Sequence, residues 1–157
     1  MDLQKFLGAS FSPREATVEV PELSDFFGEG QQPEWIVRSL TAAEMGRAEL
    51  AAEKGVENIK ALVEAMAGKG EKAEALRKAM GISQAETPAD VSRRIEMLTA
   101  GSVSPELGME SRDVAVRLAE VHPTVFYKLT NKILSLTGQG AELGKRSPSG
   151  KIRKSAA

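Results

Sequence analysis

Leu40 is followed by Thr41, and Glu44 stands three residues further on. In a T-x-x-E start the threonine hydroxyl accepts from the glutamate N–H while the carboxylate reaches back to the threonine N–H. Leu40 and Met45 hold the two staple positions that fix how the chain enters the helix. A helix is therefore expected from Thr41, and helix dominates what the chain can become. Met45, Ala48, Ala52, Ile59, Leu62 and Met66 follow at three- and four-residue spacings until Gly68 and Gly70 interrupt them. This stripe is narrow and close to seven residues in period, suited to packing helix on helix within the chain or between chains. Internal core is the ordinary use of such a stripe.

On either side the pattern changes. Residues 2–7 read as one short helical turn. Residues 14–20 alternate Ala16, Val18 and Val20 with Thr17 and Glu19, the period of a strand. Pro21 ends it, a turn-rich stretch with Phe26 and Phe27 follows, and residues 34–40 resume with Trp35, Ile36 and Val37 as a second strand. The two are expected to pair as an antiparallel ribbon, which is marginal alone in water and must pack on helices or find a further strand in another molecule. Downstream, residues 71–80 predict a helix closed by Gly81. Another is predicted from Thr87, with Pro88 in its first turn and Asp90 near its N-terminus, through Val91, Ile95 and Leu98 to Gly101. Val114, Leu118 and Val121 mark a further apolar face. Pro123 interrupts it, and Val125, Phe126, Leu129, Ile133 and Leu136 mark the last, ending at Gly138.

The expected fold is mainly α with a small N-terminal β-ribbon, an α+β arrangement. The ribbon region (residues 1–40) packs on a compact helical domain (residues 41–137), and a flexible basic tail (residues 138–157) follows. No fixed-length repeat links the helices, so a solenoid is disfavoured.

Composition narrows function. The 157 residues are 41% hydrophobic but only 4% aromatic, so a core must come from aliphatic side chains and Met. There is no cysteine, which removes disulfides and thiolate metal sites and permits a reducing cytosol. The first residues lack a signal-like apolar stretch and no window approaches the roughly 18 apolar residues of a membrane span, so a cytoplasmic protein is expected. A formal charge of -1 disfavours nucleic acid as the main partner, which requires a dense set of cations. The tail gathers Lys145, Arg146, Lys151, Arg153 and Lys154 against Glu142. A solvated terminus is the plain reading of such a tail.

Catalytic patterns fare poorly. His122, the only histidine, precedes Pro123 and reads as a helix junction, with no second His or Cys to complete a metal site. Glu19 with Glu22, and Glu71 with Glu74, lie in polar surroundings that suit solvated faces. The segment GQGAELGKR has a Gly-Lys pair but Gln139 and Arg146 where a phosphate-binding loop needs Gly and Ser or Thr. Phe26, Phe27 and Trp35 lack the basic surroundings of a base-stacking platform. No catalytic, cofactor or metal residues are assigned, and a non-enzymatic binding protein is expected.

Two segments carry a resemblance. Residues 20–50, VPELSDFFGEGQQPEWIVRSLTAAEMGRAEL, run from an acidic linker through a Trp-containing strand into a Leu-Thr-Ala-Ala-Glu helix start. Residues 116–151, VRLAEVHPTVFYKLTNKILSLTGQGAELGKRSPSGK, place a late helix before a Gly, Lys and Ser-rich tail. In this order they resemble the tail assembly chaperones of long-tailed bacteriophages and prophages. The resemblance covers about half the chain and includes no catalytic signature. It implies a protein that binds the tape measure protein, keeps it soluble, helps recruit tail tube subunits, acts in the host bacterial cytoplasm and is absent from the mature virion.

On this reading Trp35, Ile36 and Val37 are candidates for self-association or contact with the tail tube protein, and Met45, Ile59, Leu62 and Met66 for client helices. A Met-bearing face adapts to varied clients. Core packing is the competing reading of all seven and the ordinary one for Ile59 and Leu62, while Trp is enriched at interfaces as well as in interiors. Two other functions remain open: a minor structural tail or head-completion protein, and a small nucleic-acid-associated regulator using the tail.

Overall fold

The computed structural model describes residues 1–67 and 88–144, except for the side chains of residues 55–67, Pro88 and Met109. The expected helix at residues 71–80 and the basic residues 145–157 lie outside the described residues. The fold is mainly α with a small antiparallel sheet.

Asp2 caps the first helix, α1 (Leu3–Gly8), its carboxylate accepting from the Lys5 N–H at 3.0 Å. β1 (Phe11–Ser12) follows, then β2 (Glu15–Glu19) and β3 (Glu34–Arg38). The last two pair antiparallel with Ala16 opposite Val37 and Val18 opposite Trp35. This is the expected ribbon, and its register puts Val18, Trp35 and Val37 on one buried face and Glu15, Thr17 and Glu19 on the exposed one. Between the strands, a 3-10 turn (Pro21–Phe26) buries Leu23.

α2 (Ala42–Ala67) starts where the capping box places it. The Thr41 N–H donates to Glu44 Oε2 at 2.8 Å, and the Glu44 N–H donates to Thr41 Oγ1 at 3.3 Å. Leu40 is buried and Met45 packs against the core, as a staple requires. α2 packs against α3 (Pro88–Gly101), with Ala48 and Ala52 buried on its inner side.

α3 runs straight into a strand, β4 (Ser102–Ser104), which pairs with the far side of β3 and completes a sheet of order β2-β3-β4. Gly101 makes that junction possible. A Cβ there would stand 2.8 Å from Ile133 Cδ1 and 3.3 Å from the Arg38 carbonyl oxygen, so any side chain would have to displace the buried Ile133 where helix end, strand and neighbouring helix meet.

α4 (Arg112–Val121) and α5 (Pro123–Gly138) complete the body. All five apolar positions expected of α5 are buried, together with Thr130. This helix lies against β2, β3, α3 and α4. In α4 the buried residues are Ala115 and Leu118, while Val114 and Val121 are nearly half exposed. The expected Val114-Leu118-Val121 face is thus turned toward Ala115, whose small side chain suits a short helix lodged between α3 and α5.

After α5 the chain reverses at Gly140, which adopts the left-handed φ of 70°. It returns as β5 (Glu142–Leu143), pairing with β1 so that Leu143 faces Phe11. The segment expected to be tail from residue 138 therefore begins with a paired strand. The ribbon region and helical body also share one hydrophobic cluster, from Val18 and Trp35 through Met97 and Leu98 to Phe126, Leu129 and Ile133.

Candidate functional site

Trp35, Ile36 and Val37 lie on the central strand of the three. Trp35 and Val37 point into the core at 4% and 0% exposure, and the Trp35 indole N–H donates to Ser102 Oγ at 2.7 Å. Ser102 Oγ in turn donates to the Pro105 carbonyl oxygen. One of the two edges of the expected ribbon is thus occupied by β4 of the same chain, which makes β3 the central strand and leaves β2 at the edge of the sheet. Ile36, on the opposite face, is half-buried. The sequence reading had no signal for this, because Ser102–Ser104 is three residues long and follows a helix without a turn.

Met45 is half-buried against the same cluster and serves as the staple rather than as an open client surface. Ile59, Leu62 and Met66 fall on the backbone of α2, but their side chains lie outside the described residues. The seven candidates therefore do not converge on one exposed surface among the described residues. Trp35 and Val37 belong to the core, and Met45 packs against it from its margin.

The polar side chains that resolve into clusters fasten elements together. Arg38 forms a two-pronged bond with Glu44, 2.7 and 3.1 Å, tying β3 to the first turn of α2. The bond from Arg38 outweighs burial and, with the Thr41 N–H, lowers the Glu44 carboxyl to about 2, while the Arg38 guanidinium is raised by the same partner. Asp90 receives bonds from Arg93 and Arg94, both 2.8 Å. Burial pushes its pKa up, but the two arginines more than offset this and leave it lowered. Arg94 continues to Thr130 Oγ1 at 2.7 Å and Asn131 Oδ1 at 2.8 Å and lies 4.7 Å from the centre of the Tyr127 ring, joining α3 to α5. Thr130 completes its own bonding by donating to the Phe126 carbonyl at 2.9 Å.

One shallow depression of about 640 Å³ lies among Glu15, Arg38, Glu44, Arg47, Glu96 and Ser102. Arg38 is committed to Glu44 there, and Glu96 to Arg112 at 2.6 Å. His122 sits half-buried at the α4–α5 junction, its N–H donating to the Leu118 carbonyl and its carbonyl accepting from Phe126. Among the described residues no group of three or more His, Cys, Asp or Glu side chains is placed to hold a metal ion. No helix among them is long and apolar enough to cross a membrane.

The feature that stands apart is apolar and outside the core. α1 buries none of its residues. Leu3, Phe6 and Leu7, at i, i+3 and i+4 on one helix face, are 61%, 53% and 76% exposed. The Phe6 ring centre lies 5.3 Å from that of Phe11, and Phe11 stands opposite Leu143, which is 76% exposed. These five side chains form a continuous apolar corner built by α1, β1 and β5. Two ties hold its base: Arg14 pairs with Glu142 at 2.5 Å, and the Gly144 N–H donates to the Ser10 carbonyl at 3.2 Å. The spacing of Leu3, Phe6 and Leu7 after Asp2 is visible in the sequence. What the sequence lacks is any sign that Leu143 returns beside Phe11.

No family model matches this chain, and no curated protein and no solved structure matches it.

Proposed function

We propose that this chain is a tail assembly chaperone of a long-tailed bacteriophage or prophage. It binds the tape measure protein in the host bacterial cytoplasm, keeps it soluble, helps recruit tail tube subunits and leaves before the virion is complete. It acts by protein binding and not as an enzyme.

The observation that carries this reading is the relation between the two segments that resemble such chaperones. They are separated by 65 residues of sequence, yet in space they adjoin. The Leu40 N–H, at the helix start of the first, donates to Thr137 Oγ1 in the second at 3.0 Å, and α5 packs on β3. Features drawn from both ends of the chain thus form one piece of the fold, as expected if they belong to one inherited module. The apolar corner of α1, β1 and β5 supports a binding role as well, since contiguous apolar groups left in water mark interaction surfaces.

The test is co-expression with whichever protein is encoded immediately downstream, which the reading requires to be a tape measure protein, read as the soluble fraction of that protein and its co-purification with this chain. A tape measure protein that precipitates alone and is soluble in company supports the reading. One that stays insoluble overturns it. Finding this polypeptide in purified particles would favour a minor structural tail or head-completion protein instead.

A further inference from the structure

We infer that the outer edge of β2 is the docking site of this chain's own basic segment, residues 151–154, which adds to the sheet as a fourth strand. The segment lies outside the described residues; the inference stands apart from the proposed function and rests on backbone geometry, charge and reach.

Hydrogen-bond parity identifies the edge. The Ser39 N–H donates to the Arg14 carbonyl at 2.8 Å and the Val20 N–H to the Pro33 carbonyl at 2.7 Å. Carried through the register that sets Ala16 opposite Val37 and Val18 opposite Trp35, this turns the N–H and C=O groups of even-numbered residues toward β3 and those of odd-numbered residues outward. In keeping with it, the Glu19 carbonyl accepts from Lys128 Nζ of α5 at 2.6 Å. Among the described residues no strand pairs with β2 on that side. The N–H groups of Glu15, Thr17 and Glu19 and the carbonyls of Glu15 and Thr17 therefore form a template for a further strand.

Charge selects the occupant. The Glu15, Thr17 and Glu19 side chains are exposed on one face of this edge, and residues 15–34 hold six acids without a Lys or Arg. A second copy is a poor match, because the full antiparallel register of two β2 strands sets Glu15 of each opposite Glu19 of the other. Residues 145–157 are the reverse, with five Lys or Arg and no acid. Within them Lys151, Ile152 and Arg153 alternate cation, apolar, cation. In a strand beside β2, Lys151 and Arg153 share the face of Glu15 and Glu19. Ile152 takes the opposite face, next to Ala16, which is half-buried at the margin of the core.

Reach permits the pairing within one molecule. The Gly144 N–H donates to the Ser10 carbonyl, and Glu142 pairs with Arg14, the residue before β2. Lys151 lies seven residues past Gly144 and Thr17 lies seven residues past Ser10, so both arms span at most about 25 Å. The residues between, 145–150, include Pro148 and Gly150, types that favour a reversal of the chain.

The experiment is amide hydrogen exchange of the full chain, read residue by residue by NMR. Ala16 and Val18, bonded to β3, should be protected in every sample and so report the fold. In the parent chain the Thr17 and Glu19 amides should exchange at least about tenfold more slowly than in an unpaired chain, at a rate independent of protein concentration. Lys151→Glu combined with Arg153→Glu should remove that protection. Lys145→Glu combined with Arg146→Glu, an equal change of charge outside the pairing segment, should leave it within about twofold. Thr17 and Glu19 amides that exchange freely in the parent chain overturn the inference. Protection that survives the change at Lys151 and Arg153 overturns it, because another segment would cover the edge. Equal loss in the two variants overturns it as well, since net charge and not this strand would be responsible. Protection that rises with protein concentration assigns the strand to a second copy and overturns the pairing within one chain.

Discussion

Phe126 and Phe6 are the same residue in opposite situations. Phe126 is 1% exposed in the middle of α5, edge-on to Tyr127 at 5.6 Å and surrounded by the cluster shared by sheet and helices. Phe6 is 53% exposed on a six-residue helix that buries nothing, with Phe11 as its aromatic neighbour. The body spends its aliphatic side chains on a closed core and places polar groups such as Thr130 and Thr137 where a bond partner exists. The corner leaves five large apolar side chains wholly or partly in water. Burial of that area on folding would have been favourable; the body makes use of such burial and the corner does not.

Substitutions at the two regions should separate accordingly. The largest effect is expected for Phe126→Ala, a cavity in the centre of the body, which should lower unfolding stability in urea by about 3–5 kcal/mol. A loss below about 1 kcal/mol would mean that α5 is not the centre of the core. Gly101→Ala forces a methyl group against Ile133, itself fully buried, and against the Arg38 carbonyl. Overpacking of this kind should cost about 1–3 kcal/mol in the same assay.

Glu44→Ala removes the reciprocal cap and the Arg38 bridge and should cost about 1–2 kcal/mol at neutral pH. Its pH dependence has a definite sign. The folded carboxyl titrates near 2, below its ordinary value of 4.5, so its contribution is fully present above the ordinary value and is lost as pH falls from there toward 2. Stability measured from pH 6 to pH 2 should therefore fall less steeply in Glu44→Gln than in the parent chain. Parallel curves would show that this carboxylate is not a source of acid sensitivity. The smallest effect is expected in the corner: Leu7→Ser should change stability by no more than about 0.5 kcal/mol. A loss above about 1 kcal/mol would make α1 part of the stabilising structure and weaken the contrast drawn here.

Local signals made much of this fold legible. The Thr41–Glu44 box placed a helix start to the residue because both of its bonds join groups three positions apart. Period-two alternation gave the β2–β3 pairing because one face of that ribbon is buried. The three-four spacing after Pro123 gave every apolar core position of α5. The missing pieces depend on contacts between distant residues. Ser102–Ser104 becomes a strand because β3 has a free side where α3 ends, and Glu142–Leu143 because the chain turns back beside β1. In α4, Ala115 outranks Val114 and Val121 for burial because close approach between helices rewards a small side chain there. The candidate site was least legible. Trp35 and Val37 were candidates for contact with partners because the ribbon seemed to need a third strand, and the chain supplies that strand itself.

The proposed function is that this chain holds a tape measure protein in solution. Co-expression with the protein encoded directly downstream, scored as the fraction of that protein in the soluble extract, tests it most directly. The account predicts that the downstream protein is insoluble alone, becomes soluble with the parent chain and is carried with it through purification. An equally insoluble downstream protein in the presence of a folded, abundant parent chain would contradict it.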